Sequence, residues 1–347
     1  MNFMRHHLIS GFLCFSSILL QGCASPPADS SQAIEHDVVG EAVPWTTDAF
    51  DSGDDSFTFA VFSDLTGGER ERIFEIAIAQ LALLKPELIM NVGDLIEGGT
   101  DDLSEIARQW DSFDSRADAA TAPLFYVGGN HDLTGALMQR VWDERYGRRY
   151  YHFVYKNSLF LIMDTEDNTP ERAREIFEAR NHAIEVVETE GWDAFSQTEY
   201  ANMPENRAGN ISAEQAEYFQ RVIAEYPDVR WTFLFMHKAN WLREDTQAFA
   251  SIERSLADHP YTVFNGHVHR YKHEVRQGRD YLRLATTGGV QLQGEGRSMD
   301  HVTLVTVDDK GVGIANLLMN GILDKTGHIP LEGDDVCFEA EICDDAD

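Results

Sequence analysis

From Phe57 onward, short apolar runs that suit β-strands alternate with segments whose apolar residues recur at helical spacing, and several of the runs stop at residues able to bind metal. Phe57 to Phe62 leads to Asp64, Leu88 to Val92 leads to Gly93 and Asp94, and Leu124 to Val127 leads to Gly129, Asn130, His131 and Asp132. Trp231 to Met236 stops at His237, and Tyr261 to Phe264 stops at Gly266, His267, Val268 and His269. Between the first three runs lie Arg70 to Leu84, with Ile73, Ala77, Leu81 and Leu84 on one side, and Leu103 to Ala119. This βαβαβ order predicts a parallel core sheet with right-handed crossovers. The donor-bearing loops would share the carboxyl edge of that open sheet, where α/β folds place their ligands.

Past a helix expected from Leu133 to Tyr146 the rhythm changes. Tyr150 to Tyr155 and Leu159 to Met163 flank Lys156, Asn157 and Ser158, which read as a hairpin turn. Thr169 to about Phe195 is a polar, Glu-rich helical insertion, and Ser212 with Gln215 starts another helix in a capping-box pattern. Gln247 to Leu256 reads as a helix, and Tyr281 to Thr286, His301 to Val307 and Ile314 to Leu318 read as strands. A second sheet built partly from these last strands gives an α/β fold of two facing mixed sheets flanked by helices.

The ends of the chain bear on location. Arg5 precedes an apolar stretch from Leu8 to Leu20, and Leu20-Gln21-Gly22-Cys23 follows. The stretch is shorter than the roughly 20 residues that span a bilayer. The tetrapeptide is similar to a bacterial lipoprotein signal, so residues 1–22 are expected to be removed and Cys23 to be acylated, anchoring the protein to the outer membrane, facing periplasm or cell surface. An ordinary secretory signal would leave Cys23 a plain thiol. Residues 23–56 lack a sustained apolar period and are expected to form a flexible tether with a reach of roughly 30 Å. The body then spans 57–330, and 331–347 is an acidic tail in which Cys337 and Cys343 are placed for a small-loop disulfide. A formal net charge of -31 would repel nucleic acid and anionic lipid surfaces. The acidic surface fits either a saline medium or simple solubility.

The ordered blocks resemble the calcineurin-like metallophosphoesterase family over nearly all of Phe57 to Leu318. Its pattern is Asp-x-His, Gly-Asp, Gly-Asn-His-Asp/Glu, a lone His and Gly-His-x-His. Here it reads Asp64-Leu65-Thr66, Gly93-Asp94, Gly129-Asn130-His131-Asp132, His237 and Gly266-His267-Val268-His269. The resemblance implies a four-layer α/β/β/α sandwich and a phosphoesterase acting on mono- or diesters of phosphorylated small molecules. It also implies two metal ions about 4 Å apart that hold phosphoryl oxygens and generate hydroxide. Asp64, Asp94 and His269 would hold site A, and Asp94, Asn130, His237 and His267 site B. His131 would serve the leaving oxygen as a non-ligand acid, with Asp132 orienting it. Mixed oxygen and nitrogen donors suit Mn, Fe or Zn.

Thr66 departs from the pattern, standing where the family usually has a histidine ligand. A threonine hydroxyl is a poor ligand, so site A is expected to bind more weakly than site B. Asp64 to Gly68 has the Asp-x-Thr-Gly-Gly form of some family members. The competing reading is a non-catalytic surface lipoprotein that keeps one metal for structure. Lys238, Asn240, Trp241, Arg270 and His273 flank the donor loops and are candidates to line a cleft whose walls come from 165–210.

Overall fold

The computed structural model describes residues 31–51, 56–292 and 296–343, so the signal expected over 1–22 and the acylated Cys23 lie outside the described residues. Two sheets carry the fold. The first runs Gly311–Leu318, His301–Asp308, Phe57–Phe62, Leu88–Asn91, Leu124–Phe125. Its last three strands are parallel, in keeping with the helices between them, and its two carboxyl-terminal strands are antiparallel. The second runs Lys272–Arg276, Arg279–Arg283, Tyr261–Asn265, Trp231–Phe235, Ser158–Ile162, Tyr151–Tyr155, Glu35–His36.

Strand periodicity divides the core. Phe57, Phe59 and Val61 face the second sheet, while Ala60 and Phe62 face helices Ile73–Leu84, Leu103–Ala117 and Ala136–Tyr146. On the second sheet, Phe160, Phe233 and Phe264 face inward, and Leu161, Leu234 and Val263 meet helices Ala213–Glu225 and Ala248–Ser255. The result is helix, sheet, sheet, helix. Phe160 sits mid-seam, its ring 5.3 Å from Phe59, 4.5 Å from Phe153 and 5.2 Å from Phe233. Each such ring contributes about 2 kcal/mol by leaving water.

Three expectations are refined. Of the strands expected near the carboxyl end, the one around Tyr281 joins the second sheet as Arg279–Arg283, together with the additional strand Lys272–Arg276. His301–Asp308 pairs with Phe57–Phe62 instead, because Val302 packs toward the helices and Val305 and Val307 toward the seam, a pattern that suits a strand covered on both faces. The segment expected as a tether is folded over much of its length. Glu35–His36 extends the second sheet, and Ile34, Val38 and Trp45 are buried in the seam, Trp45 lying 5.8 Å from the rings of Phe125 and Tyr151. These residues fill a gap between layers, which requires no regular spacing. Third, Ser212 caps its helix by accepting from Gln215 N, but Gln215 does not reciprocate. Its amide exchanges hydrogen bonds with the backbone of Asp164, fastening the root of the insertion.

The hairpin turn has Lys156 and Asn157 at φ 43 and 56, the left-handed pair that a two-residue turn between twisted strands requires. The insertion begins with Pro170–Glu190, capped by Thr169, and returns through Trp192–Gln197, Glu199–Asn202 and Pro204–Ala208. Ile176, Ala183, Tyr200 and Met203 form its own small core. Cys337 and Cys343 are joined in a disulfide, and the nearby Phe338 carbonyl accepts from Asp300 N at 2.9 Å. Among the described residues no helix is long and apolar enough to cross a membrane.

Candidate metal centre

Both sheets, rather than one, deliver donors. Asp64, Asp94 and Asn130 leave the first, and His237, His267 and His269 leave the second. The turns are sharp. Asp64, Asp94, His267 and His269 have φ of 41, 58, 75 and 57, a left-handed region that is costly for side-chain-bearing residues and is held by surrounding contacts. Gly129 and Gly266 permit the approach, since a Cβ on either would run into the Asp94 or Asp64 carboxylate.

One ligand atom each from Asp94, His237 and His267 fall within 4.8 Å of one another, and so do those from Asp64, Asp94 and His269. Asp94 belongs to both groups. Its Oδ2 lies 3.0 Å from His237 Nε2, which is also 3.1 Å from Asn130 Oδ1. His269 Nε2 is 3.4 Å from Asp64 Oδ1. The structure thus brings together all six residues expected to bind metal.

The outer contacts of the histidines are alike. His237 Nδ1 meets Val92 O at 2.8 Å, His267 Nε2 meets Asn206 O at 2.7 Å, and His269 Nδ1 meets Val290 O at 2.6 Å. A carbonyl only accepts, so each facing nitrogen carries hydrogen and the other nitrogen keeps a lone pair in the neutral ring. Burial disfavours charge at Asp94, yet His237, His131 and His267 outweigh it and hold the carboxyl well below its usual range. Burial likewise opposes charge on His237, and Asp94 overcomes it, raising the imidazole to about 9. Acid and imidazole each favour the other's charged form at a place where a cation would fit: the donors are buried, mixed in type and already oriented.

Thr66 is turned away from this cluster. Its buried hydroxyl donates to Ile96 O at 2.9 Å, so it holds the turn, and the group on this side that could hold a metal ion consists of Asp64, Asp94 and His269.

The expected role of Asp132 is corrected. Its Oδ2 accepts from Asp94 N and Gly129 N at 2.8 Å each, and its Oδ1 accepts from Leu95 N at 2.8 Å and Ile96 N at 3.1 Å. The carboxylate pins two donor loops together and makes no bond to His131. Both residues lie in the turn Asn130–Leu133, where consecutive side chains diverge. His131 is oriented by the Glu97 carbonyl, which its Nδ1 meets at 2.7 Å. Its Nε2 and that of His269 converge beside Gly67, 3.5 and 3.4 Å from where a Cβ would stand. Burial, opposed by Asp94 and reinforced by Arg180, lowers the His131 pKa.

Sequence reasoning missed Glu97, whose carboxylate accepts from Gly67 N, Gly68 N and Glu69 N at 3.2, 2.9 and 2.8 Å. Its place three residues beyond Asp94, before Gly98 and Gly99, is the one available signal. Asn206 and Arg180 were also missed, both inside the polar insertion. Of the flanking candidates, Lys238 is buried and paired with Glu166 at 2.6 Å, and Asn240 donates to Ala208 O at 2.8 Å. His273 pairs with Asp280 at 2.8 Å on an exposed hairpin strand. A cavity of about 290 Å³ adjoins His267 and is lined by Arg207, Trp241, Leu242 and Lys272, among others. A larger groove of about 740 Å³, lined by Glu214, Glu217 and Ser251, contains none of the candidate ligands.

Fold and donor set together define a two-sheet α/β protein with a buried bridging carboxylate between two clusters of candidate metal donors. Residues 57–271 match the profile of the calcineurin-like phosphoesterase family, and the chain belongs to that family. The fold is similar to that of a dimetal phosphatase from Danio rerio, at 16% identity over 76% of this chain and 98% of that one, TM-score 0.49. It is also similar to the purple acid phosphatase PPD1 of yellow lupin (Lupinus luteus) seeds, at 12% identity over 75% of this chain and 51% of that one, TM-score 0.49. A search of curated proteins by sequence finds no match.

Proposed function

We propose that the chain hydrolyses phosphate mono- or diesters with two metal ions, site A formed by Asp64, Asp94 and His269 and site B by Asp94, Asn130, His237 and His267. The reading is carried by the three imidazoles that each commit one nitrogen to a backbone carbonyl and turn the other toward the shared Asp94 cluster. Mn, Fe or Zn suits such donors, and two ions there supply the charge that holds phosphoryl oxygens and acidifies a water. His131 stands beside the cluster without joining it. Its Nε2 would take a proton from solvent, favoured by the negative charge of the arriving ester, and donate it to the leaving oxygen as the P–O bond breaks. The cavity next to His267 receives the leaving group, with Trp241 and Leu242 as its apolar wall. Site A, with three protein donors, binds its ion more weakly than site B with four. Export as a lipoprotein acylated at Cys23 belongs to the same proposal, and mass spectrometry of the mature amino terminus tests it.

The deciding experiment is hydrolysis of p-nitrophenyl phosphate and bis-p-nitrophenyl phosphate by the full chain in detergent with Mn, Zn or Fe, beside Asp94→Ala and His131→Ala. Metal-dependent turnover abolished by Asp94→Ala and reduced at least a hundredfold by His131→Ala is expected. A folded, metal-bound protein inert toward both esters would overturn the reading in favour of a non-catalytic metal-binding lipoprotein.

A further inference from the structure

Among the described residues, buried charged side chains away from the donor cluster are otherwise paired: Lys238 with Glu166, Glu205 with Arg172, Glu253 with Arg276, Asp300 with Arg70, Asp164 with Arg149 and Glu339 with Arg297. Arg180 is the exception. It lies on Pro170–Glu190, is only 5% exposed, and has no carboxylate partner among the described residues. Its Nη1 has no hydrogen-bond acceptor there and packs against Gly99, where a Cβ would stand 2.5 Å away. Its Nη2 lies 3.4 Å from His131 Nδ1, the nitrogen that already gives its hydrogen to Glu97 O. Two facing donors make no bond. Arginine is rarely buried unless paired, so a guanidinium with an unfilled Nη1 beside His131 is placed to take an anion from outside the chain.

A second side chain points the same way. Tyr200, also 5% exposed, comes from the far arm of the insertion, and its hydroxyl has no partner among the described residues. It lies close enough to Lys238, Arg180 and Asp94 to feel their charges. The Lys238 charge is balanced by Glu166 at 2.6 Å, whereas neither Arg180 nor Tyr200 has an ion-pair partner among the described residues.

We propose that Arg180 and Tyr200 form an anion clamp, supplied by the insertion, that binds a tetrahedral oxyanion on the His131 side of the centre. Taking that oxyanion as the phosphoryl group of the substrate rests on the phosphoesterase reading. The guanidinium would present paired N–H groups to phosphoryl oxygens, and the phenol would add a neutral donor. Both are binding and positioning groups, and proton transfer stays with His131.

Calorimetric titration of inorganic phosphate into the metal-loaded full chain tests this, with metal content measured alongside. Arg180→Gln should weaken phosphate binding about tenfold to a hundredfold, and Tyr200→Phe about fivefold, each with wild-type metal content. Arg180→Lys should restore part of the loss. Phosphate bound within twofold of wild type by Arg180→Gln would overturn the clamp, as would a wild-type protein that binds no phosphate at millimolar concentration. If Arg180→Gln fails to fold, Tyr200→Phe decides, because it removes one oxygen and keeps the ring; unchanged binding there refutes the proposal. Arg180-dependent phosphate binding by a protein that cleaves no ester would uphold the clamp and sink the enzymatic reading.

Discussion

His301 offers a direct test of how the platform beneath the centre responds to acid. It opens the strand His301–Asp308, is fully buried, and its ring Nε2 accepts the Ala285 N–H at 3.0 Å while its backbone N–H donates to Thr286 O at 3.1 Å. The adjoining Thr287 N and Gly289 N hold the Asp64 carbonyl at 3.3 and 2.9 Å. An accepting Nε2 must be unprotonated, and burial, followed by the Arg297 charge, pushes the imidazole down to about 4. The unfolded chain would titrate near 6.5, so it binds more protons than the folded one between those values. The stabilising contribution is therefore complete above about pH 6.5 and is lost as pH falls toward 4. A gap of about 2.5 units at ~1.36 kcal/mol each amounts to roughly 3 kcal/mol. His301→Gln keeps an acceptor oxygen for Ala285 and removes the titration. In urea unfolding with EDTA, the wild type should lose about 2–3 kcal/mol more than the variant between pH 7.5 and 4.5. Parallel pH dependences would refute the reasoning.

Thr66→Val should cost about 1 kcal/mol, the value of its bond to Ile96 O, and leave metal content unchanged; loss of one metal per chain would instead mark the hydroxyl as a ligand. Metal titration of the apoprotein should resolve two unequal sites, and two equally tight ones would contradict the three-donor count at site A. Since His237 is raised to about 9 in the absence of metal, binding at pH 7 should expel about one proton. Apparent affinity should then climb by up to about tenfold per pH unit until pH 9 and level off. Calorimetry in two buffers of different ionisation heat checks this, and zero proton release at pH 7 excludes it.

The donor loops were legible because each follows a run of buried apolar residues, so strand position and donor identity are written side by side at Asp64, Asp94, Asn130, His237 and His267. Asp132 was misread because adjacency in sequence suggested a partnership with His131, whereas a helical turn sends the two side chains apart. Arg180 was invisible for the opposite reason: on a Glu-rich polar helix it has the pattern of a solvated face, and only its packing against Gly99 and His131, far away in sequence, shows it to be buried. Strand Lys272–Arg276 escaped notice because Lys272, His273 and Val275 are exposed and show no apolar alternation. The amino-terminal segment was underestimated because filling a seam with Trp45 leaves no periodic trace.

That segment also sets a leash length. From Cys23 to Ile34, the first buried residue among those described, is a step of 11 positions, and a chain of that length covers at most about 40 Å. With the lipid that the sequence predicts on Cys23, the protein would patrol a shell of space about one body-width deep above the membrane. Substrates released at that surface would meet it first, and changing Ile34 and Trp45 to polar residues would lengthen the leash without touching a single donor.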